Sequence, residues 1–307
     1  MSVRLASHAN SWYSGDARAL KSSFDRYVGN VLTKRDKNKS SPQLPPQDAR
    51  ITAIIGPHAG YSYCGQTLAH AYAHIKPKQF KRVFVLGPSH HIYFKECAMC
   101  PKVDAYATPF GNLNVSKEIR SMLFDTGAFK SVSLEADEEE HSIEMHLPWI
   151  AHTFGASSSS GEDDATSGPE IIPIIVGSLS YRNATSYAKI LAPYIADPDN
   201  FFVISSDFCH WGSRFEYTTL VNPNPDAENK NYPIYEGIEA LDGLAIAAIE
   251  SGSSQAFDTY IKKYKNTICG RNAISILMQA FEANAKLQNP TNVTGLALDY
   301  AQSSKVT

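Results

Sequence analysis

Short apolar runs rich in β-branched and aromatic residues recur along the chain. Longer segments between them place apolar residues three and four positions apart. Ile51 to Gly56, Val83 to Leu86, Ile171 to Val176 and Phe201 to Ile204 are too brief for helices and read as strands buried on both faces. Gly87-Pro88 closes the second of these, and Pro173 inside the third argues for an edge or irregular position. A further strand is expected between Cys97 and Tyr106, and another over Thr294 to Tyr300. Helical spacing runs from Asp16 to about Leu32, with Leu20, Phe24, Tyr27, Val28 and Val31 in phase. It returns over Cys64 to Ile75, Ser116 to Phe124 (with a serine N-cap), His141 to about Phe154, Ala184 to Ile195, Ile234 to Glu250, Ser254 to Tyr264 and Asn272 to Ala285.

Strands alternating with helices predict an α/β three-layer sandwich, with helices flanking a central, largely parallel or mixed sheet. No repeat and no linker between two cores is evident, so residues 1–307 are expected to form a single domain. Charged, proline-rich or low-complexity stretches are expected as flexible loops at 34–49, 155–170 and 222–233. The acidic run Glu135 to Glu140 reads as solvated.

Composition narrows the class. A hydrophobic share of 43% over 307 residues suffices for a sizeable core, and a net charge of −3 offers no basic footprint for nucleic acid. No apolar run approaches the roughly 18 residues of a membrane span, and the first residues lack the apolar core of a secretory signal. Five cysteines, an odd count, do not resemble a disulfide framework. A reducing compartment is expected, the cytoplasm first and the nucleus second.

Three strand candidates are followed at once by chemistry-bearing residues: Pro57-His58, Ser89-His90-His91, and Asp207 through His210. Ligands of open parallel sheets bind beyond the carboxyl ends of the strands, so one site is expected there. His58 and His90 are candidate metal ligands, neutral imidazole being the commonest; alone, each could equally cap its strand end. Adjacent extended residues point oppositely, which leaves His91 a supporting or structural part. Asp207 could orient His210, and His210 could act as a general acid or base. Cys269 precedes a predicted helix and Arg271, a setting that lowers a thiol pKa and suits a ligand or nucleophile; an inert structural cysteine is the other possibility. His141 and Glu144 could face the crevice, although His141 and His146 are too far apart for H-E-x-x-H. Trp12 and Tyr13 lie in a polar, aromatic start that could approach the same pocket.

With these residues assembled, the chain resembles the Memo family (mediator of ErbB2-driven cell motility and its homologues). The resemblance is carried by SHANSWY, PHAGYSYCG, LGPSHH, DEEEHSIEMHLPW, SSDFCHWGSRF, KKYKNTICGR and DYAQSS, which span nearly the whole chain. It implies a fold like that of class III extradiol dioxygenases, whose non-haem iron sits at strand ends. It implies His58, His90 and Cys269 as metal ligands, with Asp207 and His210 handling protons. A thiolate where those enzymes have a carboxylate implies a softer site, for iron or copper with zinc tolerated, and an oxidisable ligand. The implied function is a metal-binding, redox-type protein in redox signalling, cell motility or cytoskeletal regulation. Any turnover would be that of a metal-dependent oxidoreductase, dioxygenase activity being the less expected form. The alternative is a non-catalytic adaptor that takes phosphotyrosine peptides or cytoskeletal signalling proteins in a vestigial pocket. A Cys-His hydrolase, with Cys269 as nucleophile and His210 as base, ranks third.

Overall fold

Alternate residues of the central strands feed two separate cores. Val83 and Val85, Phe201 and Val203, and Ile171 and Ile175 pack into one; Phe84 and Leu86, Phe202 and Ile204, and Ile172 and Ile174 pack into the other. Side chains of a strand point alternately to opposite faces, so a sheet apolar at every position must be covered twice. The computed structural model describes residues 1–34, 45–46, 49–77, 80–156, 168–224, 232–287 and 293–307. The expected loops at 34–49, 155–170 and 222–233 fall largely outside the described residues.

In chain order the elements are β1 (Val3–Arg4), α1 (Ala17–Lys34), β2 (Ala53–Gly56), α2 (Tyr61–Tyr72), β3 (Arg82–Pro88), β4 (Cys97–Met99), β5 (Ala105–Thr108), β6 (Gly111–Asn114), α3 (Lys117–Asp125), β7 (Phe129–Ser131), α4 (Leu134–Glu139), α5 (His141–Glu144), α6 (Leu147–Phe154), β8 (Glu170–Val176), α7 (Tyr181–Ala196), β9 (Asn200–Ser205), α8 (Ile234–Glu250), α9 (Ser254–Tyr264) and α10 (Arg271–Leu287). The main sheet runs β2-β9-β3-β8-β4-β7, and β1-β5-β6 form a small second sheet. The first four strands of the main sheet are parallel, and β4 enters antiparallel to β8. The sheet is therefore mixed, with helices on both faces: a three-layer α/β sandwich. On the α1, α2 and α6 side, buried Trp149 stacks on Phe24 at 3.8 Å between ring centroids and on Tyr72 at 5.3 Å. Helices α3, α7, α8, α9 and α10 cover the other face.

Several elements depart from the sequence-based expectation. Gly87 and Pro88 do not end β3 but pair within it, with Ile175 and Val176. Pro173 lies in an interior strand. Ile171 accepts a bond from Ser116 N, and Gly177 N donates to Glu96, so odd positions of β8 face away from β3. The missing N–H of Pro173 faces the same way, beyond the Ala98–Ile175 pairing where β4 no longer reaches. Cys97 to Tyr106 divides into β4 and β5, which belong to different sheets. His141 to Phe154 breaks at Met145-His146, because Pro148 is tolerated in the first turn of α6 but not inside a longer helix. Thr294 to Tyr300 forms no strand: side chains hold it, with Ala297 N on Glu250 (2.7 Å) and the Tyr300 hydroxyl on Asp242 (3.0 Å). The acidic run is not solvated throughout, since Asp137 and Glu140 are buried.

Candidate metal centre

Register decides which loops meet. Gly56 is level with Ser205 across β2 and β9, and Leu86 is level with Ile204 across β3 and β9. Three adjacent strands thus release the chain at one rim, and His58, Asp207 and His90 follow within a few residues. Helix α10 starts against the same rim. A Cβ at Gly270 would fall 2.4 Å from the Ser205 carbonyl oxygen, so only glycine permits this approach. Its neighbour Cys269 is thereby brought in. The Cys269 Sγ accepts from Asp207 N at 3.2 Å and lies 3.2 Å from His58 Nε2.

Both imidazoles are gripped from behind. Ser205 Oγ gives its proton to the Ser142 carbonyl (2.7 Å) and must therefore accept from His58 Nδ1 (2.6 Å). His90 Nδ1 lies 2.9 Å from Glu140 Oε1, while Glu140 Oε2 accepts from His90 N at 2.6 Å. Burial acts to raise the Glu140 carboxyl, but the bonds and charge of His90 and the Ser142 N–H outweigh it and bring it down to about 2. Glu140 is thus ionised and His90 Nδ1 is the donor. In their neutral forms both rings keep the proton on Nδ1 and leave Nε2 bare, the arrangement that outer oxygen partners impose on ligating histidines.

One donor atom each from His58, His90 and Cys269 lies within 4.8 Å of the others. Ligands of a tetrahedral ion at ~2.0–2.3 Å stand roughly 3.5 Å apart, so a small inward movement closes the set. Burial, with the neighbouring His90, lowers His58 to about 3, so the ring stays neutral and able to ligate. Burial and Asp207 push the Cys269 thiol well up. This reverses the lowering expected from the helix start and from Arg271, whose Nη1 instead donates to the Ile268 carbonyl at 3.0 Å. A thiolate here requires a cation, and metal uptake should release the proton. The same pair of shifts disfavours a thiolate–imidazolium couple, and the imidazole beside Cys269 is that of His58.

His90, Glu140 and His141 form a second close group. The two rings stack at 4.4 Å with 21° between their planes, so their in-plane lone pairs run side by side instead of converging on one ion. His141 serves as a spacer between His90 and Trp12, whose ring is 4.4 Å away. Tyr13 donates to Glu144 (2.7 Å), and Glu144 also accepts from His8 N (2.8 Å) and Arg4, which ties the first residues to α5. Glu144 is fully buried behind the rim rather than in it. His91 is exposed, with its ring 6.2 Å from that of His141. Asp207 does not orient His210: its Oδ1 accepts from His58 N (2.8 Å) and its Oδ2 is 4.0 Å from His58 Nε2. Thr267 holds His210 instead, accepting from its backbone N (2.7 Å) and, at the carbonyl, from Nδ1 (3.2 Å).

Sequence reasoning missed Glu140, Ser205 and Thr267. Glu140 closes an acidic run just before His141, and nothing in that run marks it as the buried member. Replacing it tests its role: Glu140→Gln is expected to weaken metal affinity about 10-fold or more, read by competition with a chelator. An unchanged affinity would show that His90 needs no such partner.

His146 lies behind β2 with its Nε2 on the Gly56 carbonyl (3.2 Å) and Nδ1 accepting from the Tyr72 hydroxyl (3.0 Å). Burial, aided by His58, lowers it to about 3. The folded value lies below the unfolded one, so its contribution is complete above about pH 6.5 and is lost as pH falls toward 3, by about 1.4 kcal/mol per unit. Urea titrations at pH 7 and pH 5 should show this loss, and His146→Phe should flatten it. Equal pH dependence in both proteins would contradict the assignment.

An α/β sandwich that gathers two imidazoles, a thiol, a carboxylate and a further imidazole at its strand ends defines the class of protein. The comparisons with known proteins say which. The family model described as Memo-like protein matches residues 4–307, and the chain belongs to that family. It is 42% identical over 302 residues to Protein MEMO1 of Xenopus laevis and 41% identical over 302 residues to Protein MEMO1 of Homo sapiens, covering 98% of this chain and 91% of each relative. It is also 39% identical over 306 residues to the Protein memo-1 homolog of Caenorhabditis elegans, covering 99% of this chain and 78% of the relative. Among the described residues no helix is long and apolar enough to cross a membrane.

Proposed function

We propose that this chain binds one transition-metal ion, copper or iron with zinc also accommodated, through His58 Nε2, His90 Nε2 and Cys269 Sγ. It then serves as a metal-dependent redox protein in signalling to cell motility or the cytoskeleton. The observation that carries this is the pair of imidazoles with Nδ1 committed to outer oxygens at 2.6 and 2.9 Å, both rings grouped with a single sulfur. A mixed nitrogen and thiolate set suits the softer end of the first-row metals, and such an ion would supply one-electron chemistry. The chain's own part is to position and to move protons. Asp207, 23% exposed at its side chain, holds the His58 backbone and can accept a proton at Oδ2. His210 directs its Nδ1 proton to the Thr267 carbonyl, which leaves Nε2 as the nitrogen available to a proton.

Titration with zinc or copper(I) against a chelating competitor tests the proposal. One equivalent per chain, with release of about one proton from Cys269, is expected. A metal-free protein that takes up none of copper, iron or zinc would refute it.

One observation favours a second role. A groove of about 240 Å³ beside His90 is lined by His91, Ile92, Tyr93, Phe94, Gly177 and Ser178, and Tyr93 is 75% exposed. A phosphotyrosine peptide bound there as well by His58→Ala as by the unaltered chain would support an adaptor whose recognition does not depend on the metal. Binding lost with the histidine would place both activities in one pocket.

A further inference from the structure

Two loops carry the Cys269 half of the centre, and both are tied to one buried carboxylate. Asp242, in α8, is 2% exposed. Its Oδ1 accepts from Cys209 N (3.2 Å) and from Asn266 Nδ2 (2.9 Å), itself a buried residue. Cys209 follows Asp207 by two residues and precedes His210; Asn266 precedes Thr267 and lies three residues before Cys269. The loops are also laced to each other by Thr267 on His210 and by Asp207 on Cys269. The other oxygen of Asp242 accepts from the Tyr300 hydroxyl at 3.0 Å.

Tyr300 belongs to segment 293–307, which lies along α8 like a strap. Ala297 N donates to Glu250 (2.7 Å) near one end of the helix. Gln302 Nε2 donates to the Tyr235 carbonyl (2.9 Å) near the other, where Tyr235 N in turn donates to Val306 (2.9 Å). Thr67 Oγ1 donates to Asp299 (3.0 Å), which joins the strap to α2, the helix that follows His58. Gln302 also donates to the Tyr300 oxygen at 3.1 Å, which turns the phenol proton toward Asp242. A buried carboxylate depends on such donors.

We infer that Asp242 and Tyr300 are positioning residues for the Cys269 thiol, through which the strap formed by segment 293–307 sets the metal affinity of the centre. The consequence for affinity rests on the proposed metal site; the positioning of the thiol does not. Loss of the Tyr300 hydroxyl leaves Oδ2 of Asp242 with only the longer bond from Cys209 N (3.4 Å). The carboxylate then shifts or takes up a proton, the Cys209 and Asn266 loops lose their common anchor, and Sγ is no longer held against His58.

Cobalt(II) is the probe, because its thiolate charge-transfer absorption reports the Co–S bond directly. Tyr300→Phe, which keeps the ring and its packing, is expected to weaken cobalt affinity about 10-fold, the low end for an outer partner, and to diminish or shift that band. Asp242→Asn provides a second variant and is expected to act in the same direction. In the metal-free protein, alkylation of Cys269 by iodoacetamide, followed by mass spectrometry, should be several-fold faster in either variant, with buried Cys64 and Cys97 as internal references. Cobalt affinity within twofold of the unaltered chain, with the same band, overturns the inference even if the melting temperature falls, since that is what a purely structural bond would do. If the unaltered chain takes up no cobalt, the affinity arm gives no reading, and the metal proposal itself fails only if copper, iron and zinc are refused as well. Alkylation then decides alone: faster reaction of Cys269 supports the positioning role, and an equal rate overturns it.

Discussion

Cys269→Ser is expected to lower affinity for zinc or copper(I) by at least about 100-fold, close to 2.7 kcal/mol or more, while leaving the fold intact. Serine nearly matches cysteine in shape and can still accept from Asp207 N, the bond that Sγ accepts at 3.2 Å. It cannot supply a soft anionic ligand at neutral pH. The proton expected on metal uptake should vanish with it, because that proton comes from a thiol which burial holds in its neutral form. A chelator competition and a pH-stat titration on the two proteins read both effects. An affinity within tenfold of the unaltered chain, with the proton still released, would mean that the sulfur is not a ligand.

The second large effect concerns stability. Arg4 is 1% exposed. Its guanidinium donates to Glu144, to the Asp137 carbonyl (2.8 Å) and to the Glu140 carbonyl (3.0 Å), and its Nε faces the Asp137 carboxylate at 3.3 Å. Burial acts against its charge, but Glu144 and Asp137 more than restore it. Arg4→Met would fill the space and leave two buried carboxylates without their cation and two buried carbonyls without their donor. Breaking such a cluster from one side typically costs 3–5 kcal/mol, and the loss should appear as a lower urea midpoint at neutral pH. Because the Glu140 carbonyl is one of the acceptors, metal affinity should fall as well. An unfolding free energy unchanged to within about 1 kcal/mol would show that the network contributes little net stability, as replacement of buried ion pairs sometimes does.

The layers and the rim were legible because they follow from period and from strand ends. Val83, Phe84, Val85 and Leu86 alternate between two cores, and an uninterrupted apolar run announces that. The adjacency of β2, β9 and β3 was foreshadowed by three runs that each led into histidine or aspartate. Local rules failed where long-range contacts decided the outcome. Pro173 sits inside the sheet because a neighbouring strand is short, and strand length is not written in β8. The Glu135 to Glu140 run looked solvated because its buried cation, Arg4, lies 133 residues from Asp137 along the chain. Burial reversed the shift expected for the Cys269 thiol, and no local motif reports burial. The partners that hold His58 and His90, Ser205 and Glu140, were missed for the same reason: each is an ordinary polar residue until the fold places it 2.6 to 2.9 Å from an imidazole.

The most direct test of the central claim is X-ray absorption at the metal edge of the zinc- or copper-loaded protein, together with anomalous scattering from its crystals. The account predicts a single ion with two imidazole nitrogens and one sulfur, at ~2.0–2.1 and ~2.3 Å for zinc, lying between His58, His90 and Cys269. An ion bound elsewhere, or a shell of nitrogen and oxygen without sulfur, would contradict it.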